Sequence, residues 1–170
     1  VTFFLGKKTF NENQIKTAIT QIWVLTSLIG VIICSYLMVY FSKSGDNLVL
    51  VGLALIPIPF TLFNTYNSGI FLGKNQIILF NRITWIPPLI ILICTLVFVL
   101  LFSLDIEGFL IAMIGGPLFI FIILLLKNKF IQAFSLIFDW NIIKQLLTLG
   151  LVYAFALLVV SLNYKLDIIL

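Results

Sequence analysis

Five polar residues stand close together in one otherwise apolar stretch: Ser161, Asn163, Tyr164, Lys165 and Asp167. An ammonium and a carboxylate are costly in apolar surroundings, so each must face protein or water and each is a candidate for holding a charged ligand or an ion. In a helix Lys165 and Asp167, two apart, point to different faces, whereas Asn163 and Asp167, four apart, share one. Lys165 is therefore a candidate cationic contact for an anionic substrate group, and Asp167 a candidate anchor for another helix or a coupling cation. The structural alternative has Lys165 snorkelling to an interface and Asp167 pairing with a further helix. A second polar cluster, Asn64, Tyr66, Asn67 and Ser68, lies between Pro59 and Gly69. Asn64, Asn67 and Ser68 fall on one helical face at i, i+3 and i+4. They either line a polar path or hydrogen-bond a neighbouring helix.

Other chemistry has little footing. Histidine is absent, which removes His-based nucleophilic catalysis and the commonest proton shuttle. Cys34 and Cys94 each sit alone in apolar runs and read as buried thiols. Asp105 and Glu107 are two apart, and a solvated turn explains them better than a paired-carboxylate active site. Gly115-Gly116-Pro117 lacks the strand and spacing of a phosphate loop and reads as a point of helix flexibility. No cofactor, metal site or enzyme activity is expected.

Composition dictates the elements that must carry these residues. Of 170 residues, 62% are hydrophobic and 9% charged, and the mean hydropathy is +1.25. A soluble domain is nearer half apolar and about a quarter charged. The expected fold class is all-α, a polytopic integral membrane protein. A helix needs about 20 apolar residues to cross a bilayer, and suitable runs occur at 19–41, 48–72, 83–102, 109–126 and 146–170, giving about five spans. Pro57, Pro59, Pro87 and Pro88 are expected to kink the second and third. The chain opens without an initiator Met or signal peptide and stops inside an apolar run, so it is expected to be an excerpt of a longer protein.

The net charge of +4 reads as a topology signal, because the basic residues are scattered between apolar runs and form no face for nucleic acid. Lys7, Lys8 and Lys16 precede the first span, Lys74 and Arg82 lie between the second and third, and Lys127, Lys129 and Lys144 between the fourth and fifth. The intervening turns carry Lys43 beside Asp46, and Asp105 with Glu107. By the positive-inside rule, the three basic segments are cytoplasmic and the two short turns lie outside. The segment 127–145 mixes lysines with Phe130, Phe134, Phe138 and Trp140. It suits either a membrane-interface segment or a partly buried linker between helical halves.

The stretch from Gly150 through Asn163-Tyr164-Lys165-Leu166-Asp167 to Leu170 resembles the seventh span of the polysaccharide flippases. These are the O-antigen and capsule exporters of the multidrug/oligosaccharidyl-lipid/polysaccharide superfamily. There an aromatic inner loop leads into a Gly-rich helix start and an Asn-x-Arg-x-Asp pattern. Phe4-Leu5-Gly6-Lys7-Lys8 is similar to the end of span two, and Ile70-Phe71-Leu72-Gly73 with Asn81-Arg82 to the loop after span four. The resemblance covers the whole chain as spans three to seven. It implies a two-lobe transporter of the multidrug-exporter type, with 1–126 in the first lobe, 127–145 as a cytoplasmic linker and 146–170 opening the second lobe. It also implies movement of a polyprenyl-pyrophosphate-linked oligosaccharide across the bacterial cytoplasmic membrane by alternating access. Membrane lipids and other polysaccharide-assembly proteins would be partners. Lys165, Asp167, Asn163, Asn64 and Asn67 are the candidate substrate contacts. Lys165 stands where the pattern has Arg, keeping the charge but losing the bidentate fork that suits phosphate.

Two other functions compete. A cation-coupled multidrug exporter of the same fold would prefer carboxylates in its cavity. A membrane glycan polymerase or ligase would need a large outer loop with catalytic Arg or His, and both outer turns here are short.

Overall fold

The computed structural model describes residues 1–7, 9–42, 45–127 and 139–169, with side chains described throughout these except at 127, 157 and 160–169. Every regular element among the described residues is a helix: α1 (Thr2–Gly6), α2 (Glu12–Phe41), α3 (Leu48–Leu55), α4 (Pro57–Gly73), α5 (Ile77–Thr95), α6 (Asp105–Lys127) and α7 (Trp140–Ile169). Local chemistry sets several of their ends. At the start of α2, Gln14 Oε1 accepts from the Asn11 backbone N–H at 3.1 Å, one arm of a capping box. That places the start of the helix seven residues before the apolar run at 19. Asn47 Oδ1 accepts from the N–H groups of Val49 at 3.1 Å and Leu50 at 3.3 Å, which caps α3. Pro57 then falls in the first turn of α4, where its missing N–H costs no bond in that helix. Ile56 between them keeps helical dihedrals (φ −54, ψ −40), so α3 and α4 run on as one span.

Four helical stretches are long and apolar enough to cross a membrane: Glu12–Phe41, Leu48–Gly73, Ile77–Leu101 and Asp105–Leu126. A fifth apolar stretch, Trp140–Ala156, is shorter over its described side chains. The chain is an all-helical, multi-pass membrane protein. Its large apolar side chains point outward as they must toward lipid, with Leu25, Leu28, Ile32, Tyr40 and Leu100 all exposed.

The chain divides into two compact units, Val1–Ser135 and Leu136–Leu170. Within the first, α2 lies along α3 and α4, α4 touches α5 and α6, and α5 pairs with α6. An aromatic knot holds three of these helices together. Trp23 of α2 meets Phe63 of α4 edge-on at 5.1 Å, and Phe121 of α6 meets Phe63 at 4.7 Å and Phe60 at 5.1 Å. The Trp23 Nε1–H also donates to the Pro59 carbonyl at 2.7 Å. Ile15, Phe63, Ile70, Ile120 and Leu124 are buried alongside them.

Small residues allow close helix contacts. Gly69 and Gly73 of α4 form a small-xxx-small pair on which α1 rests, and Thr2 Oγ1 donates to the Gly69 carbonyl at 3.1 Å. A Cβ on Gly73 would lie 2.8 Å from that of Leu5. On α6 the residues Gly108, Ala112 and Gly116, spaced by four, are all buried. A Cβ on Gly116 would stand 2.6 Å from the Pro87 carbonyl oxygen of α5. The flexibility expected of Gly115-Gly116 is thus expressed as close packing: without a Cβ, α6 lets the α5 backbone touch it.

Candidate functional site

The second helical cluster divides where a common polar face was expected. Asn67 is fully buried, at 0% exposure, and its Nδ2 donates to the Phe63 carbonyl one turn back in its own helix at 2.9 Å. Asn64 instead reaches across to α6, where its Nδ2 donates to the Pro117 carbonyl at 3.1 Å. Both amide oxygens are buried without a hydrogen-bond partner. Ser68 Oγ donates to the Thr65 carbonyl at 2.6 Å, and Tyr66 Oη donates to Thr26 Oγ1 at 3.2 Å, tying α4 to α2. Of the two alternatives open for this cluster, helix-to-helix bonding is the one Asn64 and Tyr66 adopt.

The other cluster lies in α7. Asn163, Lys165 and Asp167 occupy the last turns of a continuous helix, Trp140–Ile169. Their side chains lie outside the described residues, as do Lys8, Lys43 and the segment 128–138.

A third polar group escaped the sequence reading. Glu12 Oε1 accepts from both Lys16, at 2.7 Å one turn along α2, and Lys74, at 2.6 Å beyond the end of α4. Hydrogen bonds from Lys16 and then Lys74 hold the Glu12 carboxyl below the usual glutamate range, against an opposing effect of burial. Glu12 precedes the apolar run, so this clasp sits at the end of the bundle rather than within it. A Glu four residues before a Lys is a visible helix-pair signal, but the third partner, 62 residues away, is not.

The clasp fixes the ends of the bundle. It joins the start of α2 to the end of α4, and a tight turn with Asn75 at φ 58 leads directly into α5. Lys7, Lys16, Lys74 and Arg82 therefore gather at one end of the unit. Asp46 before α3, and Asp105 and Glu107 in the first turn of α6, lie at the other. The two acids at that helix start are favourable against the helix dipole. Among the described residues no group of three or more Cys, Asp or Glu side chains is placed to hold a metal ion.

No protein-family model, curated protein or solved structure matches this chain.

Proposed function

We propose that this chain is part of a transporter that carries a polyprenyl-pyrophosphate-linked oligosaccharide from the cytoplasmic to the outer leaflet of a bacterial cytoplasmic membrane. The supporting observation is the pair Lys165 and Asp167 with Asn163 near the end of α7, a 30-residue helix whose remaining length is mostly apolar. Such charges persist in a membrane helix when they face a hydrated cavity. An ammonium there can meet pyrophosphate while amides and hydroxyls meet the sugar, and the prenyl tail stays among lipid chains. The segregation of Lys7, Lys16, Lys74 and Arg82 to one end supports placing that end in the cytoplasm, where the lipid-linked sugar is made.

In this account the two halves of a two-lobe transporter present the loaded cavity alternately to each side. Lys165 and Asn163 bind cargo, and Asp167 binds a neighbouring helix or a coupling cation. Asn64 ties α4 to α6 while Asn67 bonds within its own helix, and no bond-making chemistry is required. The carboxylate of Asp167 also suits a cation-coupled multidrug exporter.

Reconstitution of the full-length protein separates the two. In liposomes loaded with a polyprenyl-pyrophosphate oligosaccharide, a membrane-impermeant lectin should reach more of the sugar than in protein-free vesicles. Equal accessibility, with protein-dependent efflux of a cationic dye, would replace this function with drug export.

A further inference from the structure

The backbone of α5 is interrupted at more points than that of α6, which has the single interior proline Pro117. Pro87 and Pro88 sit inside it, so the carbonyls of Ile83 and Thr84 lose the N–H donors that an intact helix would give them. Eight residues after Pro88 the helix widens into a π-helical turn, Leu96–Leu101, with the Phe102 N–H reaching back to the Val97 carbonyl at 3.2 Å. The turn that follows contains Ser103 at φ 52 and Asp105 at φ 38, left-handed conformations that are strained for side-chain-bearing residues. Neither α5 nor its π-helical end contains a buried residue, whereas α6 buries Ala112, Gly116, Ile120 and Leu124.

Where α5 is broken, its backbone lies against α6. The Pro87 carbonyl lies against Gly116, at a distance a Cβ would reduce to 2.6 Å, and Ile91 Cγ1 would come to 3.0 Å. One residue on, Pro117 offers its carbonyl to Asn64 of α4. One point inside the bilayer therefore carries both a contact to α5 at which α6 presents no side chain and a directional bond to α4.

We propose that α5 is the moving helix of this unit, bending at Pro87–Pro88 over Gly116 as a fulcrum, while the Asn64–Pro117 bond keeps α4 and α6 together as a fixed pair. A helix lacking two consecutive backbone bonds bends at that point at low cost. With no Cβ on Gly115 or Gly116 for α5 to catch on, the contact lets it tilt with little repacking. The π-helical turn and the strained residues beyond it absorb the displacement at the far end. The device does not depend on which cargo is carried.

Distance measurement between spin labels in the full-length protein in lipid tests this, in a background with Cys34→Ala and Cys94→Ala. One pair joins Ile78 of α5 to Leu126 of α6, both exposed, and a reference pair joins Leu72 of α4 to Leu126. The α5–α6 pair should give two distance populations and the reference pair one. Pro87→Ala with Pro88→Ala restores the backbone bonds, so the second α5–α6 population should be lost while the reference pair is unchanged. Because alanine favours helix, this variant is expected to insert and fold. A single α5–α6 population in the unsubstituted protein would overturn the proposal. So would two populations that survive the double substitution, or a reference pair that splits as widely as the first.

Discussion

The Asn64 amide of α4 donates to the Pro117 carbonyl of α6 at 3.1 Å, linking two membrane-spanning helices that have no ion pair between them among the described residues. Within a bilayer such a bond contributes about 0.6 kcal/mol on average and up to about 2. Asn64→Ala should therefore destabilise the full-length protein by about 0.5–2 kcal/mol, read from denaturant unfolding in detergent. Asn67 bonds only within its own helix and buries an unpaired oxygen. Asn67→Val should fall within about 1 kcal/mol of neutral, because the desolvation penalty of that oxygen disappears with it.

Glycines of similar appearance should respond oppositely. A side chain at Gly116 meets the Pro87 carbonyl at 2.6 Å, so Gly116→Val should cost about 1–3 kcal/mol by overpacking. At Gly52, in α3, a Cβ meets nothing within 4 Å. Gly52→Ala should therefore stabilise by up to about 1 kcal/mol through helix propensity alone. Thermal unfolding of the two variants side by side checks both signs.

Four of the five expected spans were legible because apolar runs of bilayer length leave few alternatives to a membrane helix. Their ends were less so: α2 begins at Glu12 and α7 at Trp140, each several residues before its apolar run, because polar residues continue a helix that hydropathy cannot see. The Asn11-x-x-Gln14 capping pattern would have found the first of these. The shared face of Asn64, Asn67 and Ser68 was correct helical arithmetic. What each side chain meets depends on Phe63, Trp23 and Phe121 arriving from distant parts of the chain, and no local spacing encodes that. The Gly69–Gly73 contact was readable as a small-xxx-small pair; the glycines alone do not say that α1 is the partner.

Glu12 should make stability acid-sensitive. Its carboxyl is held below the ordinary value by Lys16 and Lys74, so the folded state favours the charged form. This contribution is fully present above the ordinary glutamate pKa and is lost as pH falls through the lowered one. Glu12→Gln should flatten that acid-range slope. At neutral pH it should cost no more than about 1 kcal/mol, since the clasp is partly exposed and screened by salt. Unfolding midpoints measured from neutral pH down through the acid range, at low and high salt, read both effects.

In the proposed transport cycle the charges of α7 contact the cargo. Full-length protein carrying Lys165→Ala, Lys165→Arg or Asp167→Ala can be expressed in cells that depend on it for surface glycan, with membrane protein levels matched. Transport through a cationic contact predicts loss of surface glycan for Lys165→Ala and Asp167→Ala. Lys165→Arg, which preserves the charge and completes the Asn-x-Arg-x-Asp pattern, should display glycan normally. Full display by Lys165→Ala and Asp167→Ala would remove these residues from transport and leave them as packing and interface groups.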